Sequence, residues 1–94
     1  MTNPPAPAIT HDAAARRFHA MVDGGLAVAA YERRNGTMVL THTTVPSQSE
    51  GQGVGSALAR EALDFARAEG LRVVAECPFM AAYLDRHPEH EDLR

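Results

Sequence analysis

The stretch "EGQGVGSALA", residues 50–59, places Gly51, Gly53 and Gly55 at alternate positions just before a run that reads as helix. Glycine weakens a helix interior, so a cluster at a helix start answers another demand: a backbone that must turn, or approach something closely. The first N–H groups of a helix have no partner within it, and the helix dipole adds positive character there. Such a loop can hold an anion, phosphate above all. Other residues of reactive type stand apart from it. Cys77 directly precedes Pro78, and a thiol at the start of a helix suits a nucleophile or a small buried packing group. His42, in "THTTVP", is a side chain able to take a proton; strand alternation places it on one face with Met38 and Leu40. Phe79, Tyr83 and His87 recur at i, i+4 and i+8, one face of a helix. Phe79 and Tyr83 would anchor that helix on a sheet, and His87 would cap its end. His87 and His90 form an H-x-x-H pair, but Pro88 breaks helical geometry between them and no close third ligand joins, so no metal is expected.

Two phosphate-binding patterns fail on spacing. A P-loop needs Gly-Lys-Ser/Thr, whereas Gly55 is followed by Ser56 and the chain has no lysine. A dinucleotide fingerprint needs a third glycine at the sixth position, which is Ser56 counted from Gly51 and Leu58 counted from Gly53. On spacing alone, a glycine turn with no ligand stays open.

The elements that must position these residues follow from periodicity. "RFHAMV" alternates as a strand from about Arg16, and Asp23-Gly24 is a hairpin turn signal. "LAVAAYERR" is a second strand, Asn35-Gly36 a second hairpin turn, and the β-branched run "TMVLTHTTV" a third strand ending at Pro46. "PSQSEGQG" is a polar loop. In "VGSALAREALDFARAEG", Val54, Leu58, Ala62 and Phe65 fall on one stripe of a helix that Gly70 stops. "LRVVAEC" is a fourth strand, and "PFMAAYLDRH" a short helix with Pro78 in its first turn, ending at His87. The order β-β-β-α-β-α predicts a mixed α/β (α+β) fold: an antiparallel three-strand meander, then helix-strand-helix, with one parallel pairing. Residues 1–15, with Pro4, Pro5 and Pro7, read as a flexible tail before a domain over 16–94.

Composition bounds the rest. At 94 residues, with 45% hydrophobic and 22% charged residues, the chain suits one domain with a modest core. A net charge of −3 and no basic run argue against nucleic acid. No apolar run approaches a membrane span, the N-terminus lacks the pattern of a signal peptide, and one cysteine makes no internal disulfide, so a cytoplasmic location is expected.

The segment "VPSQSEGQGVGSALAREALDFAR" resembles the acetyl-CoA loop and helix of the GNAT N-acetyltransferases. The family pattern [QR]-x-x-G-x-[GA] runs here as Glu50-Gly51-Gln52-Gly53-Val54-Gly55, with Glu50 where Arg or Gln is typical. "THTTVP" and "CPFMAAYLDRHPEHEDL" extend the likeness to the minimal single-domain, YjdJ-type members, over roughly residues 16 to 94. The resemblance implies acetyl-CoA as co-substrate. Its pyrophosphate would lie on the N–H groups of Gly51, Gln52, Gly53, Val54, Gly55 and Ser56, and its pantetheine arm beside Val45 and Pro46. It implies transfer of acetyl to an amine acceptor, a protein lysine or small amine, with Cys77, Tyr83 and His42 as candidate catalytic groups. Tyr83 would donate to the departing thiolate. The chain is expected as a monomer or weak homodimer. A non-catalytic CoA- or acyl-CoA-binding module, or an interaction domain that keeps the fold, is the alternative.

Overall fold

In the computed structural model, which describes residues 7–94, five strands form one sheet and two helices lie on a single face of it. The strands are β1 (Thr10–Asp12), β2 (Arg17–Val22), β3 (Gly25–Arg34), β4 (Thr37–Thr44) and β5 (Arg72–Ala75), side by side in chain order. The first three pairings are antiparallel and β4–β5 is parallel. Helix α1 (Val54–Ala68) makes the crossover and α2 (Pro78–Arg86) follows β5. Short 3-10 turns occupy Ser47–Ser49 and Pro88–Leu93. The mixed α/β order expected from periodicity is present, with one strand added.

That strand is β1, whose three residues fall in the segment expected to be tail. The alanines after it form a turn: the Ala15 N–H donates to Asp12 Oδ1 at 3.0 Å and Arg16 is left-handed at φ 56°. What holds β1 down is aromatic. His11 stacks on Phe18 with centroids 4.1 Å apart, meets Phe65 edge-on at 4.4 Å, and places Nε2 2.6 Å from the Tyr31 hydroxyl. Pro4 and Pro5 lie outside the described residues.

The core lies between the sheet and α1. Leu58, Ala59, Ala62, Leu63 and Ala66 of the helix meet Phe18, Ala27, Ala29, Tyr31, Met38 and Leu40 of the sheet, all buried. The facing alanines let helix and sheet approach, and each buried Leu contributes about 1.5–3 kcal/mol. Gly70 ends the helix at φ 68°, with Leu71 N–H returning to Ala66 O at 2.8 Å.

One irregularity sets the polarity of the site. Ala30 pairs with His42 but the next residue, Tyr31, pairs with Leu40, so Thr41 is an extra residue in β4. A one-residue bulge reverses the alternation beyond it. Met38 and Leu40 face the helices. After the bulge Thr43, not His42, regains that face, paired with buried Ala29. His42 therefore lies exposed on the opposite face, against the expectation that it shares one with Met38 and Leu40.

Candidate active site

The parallel pairing of β4 and β5 stops at Leu40 and Ala75. The N–H groups of Glu76 and Cys77 both converge on the Leu40 carbonyl, at 2.9 and 3.1 Å. Beyond that point β4 runs on to Thr44 while the segment after β5 turns into α2, so the strands part. A cavity of about 410 Å³ opens at the split. The end of β4 contributes Thr43 and Val45; the loop contributes Ser49, Glu50, Gly51 and Gly53; α1 contributes Val54, Gly55 and Ser56; α2 contributes Phe79.

The three glycines answer two different demands. Gly51 and Gly53 have φ of 80° and 82°, and a Cβ at either would meet nothing within 4 Å. The backbone conformation, not crowding, selects glycine there. Gly55 is ordinary helix, but a Cβ on it would lie 2.6 Å from Cζ of Phe79. It is small because an aromatic ring rests on it.

The start of α1 is electrostatically bare. Gly53 caps it with backbone alone, no side chain bonds the first turn, and no acidic residue stands in that turn. The first intrahelical bond to Gly53 O comes from Ala57 N–H at 3.0 Å. The N–H groups of Val54, Gly55 and Ser56 thus have no helical acceptor, and these residues line the cavity.

The loop is braced from behind. Ser49, 1% exposed, donates its hydroxyl to the Asp23 carbonyl at 2.7 Å, tying the loop to the β2–β3 turn. Gly24 of that turn lies against the loop so closely that a Cβ would sit 2.7 Å from Gln48 Oε1 and 3.0 Å from Pro46 Cβ.

Of the residues singled out for the cofactor, Val45, Gly51, Gly53, Val54, Gly55 and Ser56 come together around the cavity. Gln52 does not: it is exposed, and its N–H is directed to Ser49 O at 3.4 Å. Glu50 is on the rim, exposed. Cys77 is buried just behind the wall and its thiol donates to Thr43 Oγ1 at 3.3 Å. Tyr83 is buried one turn beyond Phe79, its ring stacked on His87 at 3.8 Å, and it does not line the cavity. His87 caps α2 as expected, its Nδ1 lying 2.7 Å from Tyr83 O. Among the described residues no group of His, Cys, Asp and Glu is placed to hold a metal ion.

Thr43, Ser49 and Phe79 complete the site without having been singled out for it. The bulge that turns Thr43 inward leaves no mark in a run of β-branched residues. The brace at Ser49 joins residues 26 apart in sequence. Phe79 alone carried a signal, one helical turn before Tyr83.

Comparison with known proteins finds three likenesses of the chain as a whole. The family profile described as GCN5-related N-acetyl-transferase matches residues 17–93. Protein NATD1 of Homo sapiens and of Mus musculus are each 34% identical over 83 residues, 85% of this chain and 74% and 76% of theirs. The solution structure of a GCN5-like protein from Staphylococcus aureus superposes with a TM-score of 0.76 at 27% identity, covering 99% of this chain and 89% of the other.

Proposed function

The chain belongs to the GCN5-related N-acetyltransferase family, and from that premise we propose that it binds acetyl-CoA at the β4–β5 split and transfers the acetyl group to an amine. One observation carries the reading: a helix start with no side-chain cap, behind two left-handed glycines, lines a cavity of about 410 Å³. That is a seat for a diphosphate. The unpaired edge of β4 beyond Leu40 offers N–H and C=O groups to the amides of the pantetheine arm.

When bound, acetyl-CoA supplies an activated acetyl group: a C–N bond forms, the thioester C–S bond breaks, one amine proton is lost and CoA leaves as the thiol. Thr43 is the group suited to meet the departing sulfur. Its oxygen accepts from Cys77, which leaves its own O–H proton available to the cavity it lines. Cys77 is then a positioning residue, holding that hydroxyl, rather than a covalent carrier. His42, exposed on the far face one residue from Thr43, takes the amine proton if the acceptor arrives from that face. Tyr83 anchors α2.

A thermal-shift series tests the reading with acetyl-CoA against ATP and NAD. At 100 times the dissociation constant, a ligand of the native state adds about 2.7 kcal/mol, or roughly 10–20 °C for a domain this size. A shift with acetyl-CoA alone supports the site; none at millimolar acetyl-CoA removes it. The separation of the imidazole from the cavity, since His42 is exposed on the far face and does not line it, favours a second reading, a CoA-binding module without turnover. It predicts the same shift with no amine-dependent release of free thiol.

A further inference from the structure

The sheet face opposite the helices has no cover among the described residues: both helices pack into the one core on the other side. Cross-strand partners share a face, so pairing maps it. Arg17 is opposite Ala30, and Ala30 is opposite His42, giving one row across β2, β3 and β4. The residue between the two polar side chains is small, so no bulky side chain of that row stands between Arg17 and His42. Arg17 is half-buried, its Nε is buried without a partner, and it joins none of the ion pairs among the described residues. Asp12, its neighbour on β1, spends Oδ1 on the Ala15 N–H instead. Arg17 thus brings to this face a guanidinium to which no carboxylate of the described residues is committed, the charge that a ligand carboxylate complements.

We propose that this row is the acceptor site, and that the acceptor is a small amine carrying a carboxylate at the other end of a short aliphatic chain. Arg17 holds the carboxylate and His42 meets the amine. Neighbouring strands stand about 4.8 Å apart, so the two backbones are roughly 10 Å apart across Ala30. That span suits an ω-amino acid or the side-chain amine of a basic amino acid, and Arg17 disfavours polyamines, which bring only positive charge. The chemistry at His42 rests on the acetyl-transfer reading; the binding does not.

Two readouts separate the two. Acetyl transfer to 6-aminohexanoate and to hexylamine is compared in the wild type, Arg17→Gln and Arg17→Lys. The wild type is expected to prefer 6-aminohexanoate about ten- to hundredfold in kcat/KM, as a charge-assisted contact implies. Arg17→Gln should bring the ratio close to one and Arg17→Lys restore part of it. Separately, 6-aminohexanoate titrated into labelled protein without nucleotide should move the NMR signals of the Arg17 Nε–H and the His42 amide, and hexylamine should not. Equal use of the two amines, an unchanged ratio in Arg17→Gln, faster turnover of a lysine in a blocked Lys-Glu peptide than of 6-aminohexanoate, or silence at Arg17 would overturn the proposal. Movement at Arg17 with no turnover of any amine keeps the docking site and removes the acetyl-transfer reading instead.

Discussion

At the scale of residues, side chains behind the cavity wall decide as much as those that line it. Cys77→Ala removes the donor that orients Thr43, so kcat should fall severalfold with KM for acetyl-CoA little changed, and Cys77→Ser should recover most of the loss. A covalent carrier would lose all activity in both. Glu50 places a carboxylate on the rim of the cavity proposed to seat a diphosphate. Opposed like charges about 4 Å apart in water repel by about 1 kcal/mol, so Glu50→Gln should tighten acetyl-CoA severalfold by calorimetry, less in high salt. Gly55→Ala drives a methyl into Phe79, and affinity should fall; adding Phe79→Leu should restore part of it, which Gly53→Val, strained by its left-handed backbone, does not permit. The sequence made the glycines visible as a group. It did not separate the two that turn from the one that yields to a ring, because that ring is 24 residues further on.

At the scale of elements, both hairpins and both helices were legible because Asp-Gly, Asn-Gly, Gly70 and Pro78 each carry local geometry. β1 was not: three residues are too few for a period, and its hold comes from His11 against Phe18, Phe65 and Tyr31, contacts between segments. The bulge at Thr41 was hidden for the same reason, since parity in β4 is set by its pairing with β3. The C-terminal turn, Pro88–Leu93, is fastened by Arg67 to Asp92 at 2.6 Å. That hydrogen bond, with the arginine's charge, holds the Asp92 carboxyl below its usual value. A lowered carboxylate contributes stability above its unfolded value, near 4, and loses it as pH falls through the folded value. Backbone amides of the turn should therefore exchange faster at pH 3 than at pH 6 once intrinsic rates are removed. The pair is exposed, so global stability should change little.

At the scale of the whole molecule, one sheet is asked to bury one face and leave the other open. The two largest exposed aliphatic side chains, Met21 at 75% and Val74 at 48%, are both on the open face. Met21→Lys should leave unfolding free energy within about 0.5 kcal/mol in urea titration, as for other surface changes. Leu58→Ala, at 0% exposure under the helix, should cost about 2–5 kcal/mol. No helix among the described residues is long and apolar enough to cross a membrane.

The two hairpin turns look interchangeable by length and composition, yet they are not equally free to be cut and respliced. At Asn35-Gly36 an added Cβ meets nothing within 4 Å, whereas at Gly24 it strikes Gln48 and Pro46, and Asp23 holds Ser49. A fusion partner or a relocated terminus belongs at the first. Placed at the second, it would unseat the glycine loop from some distance away, and a protein engineered there should fold and yet fail to hold the proposed co-substrate.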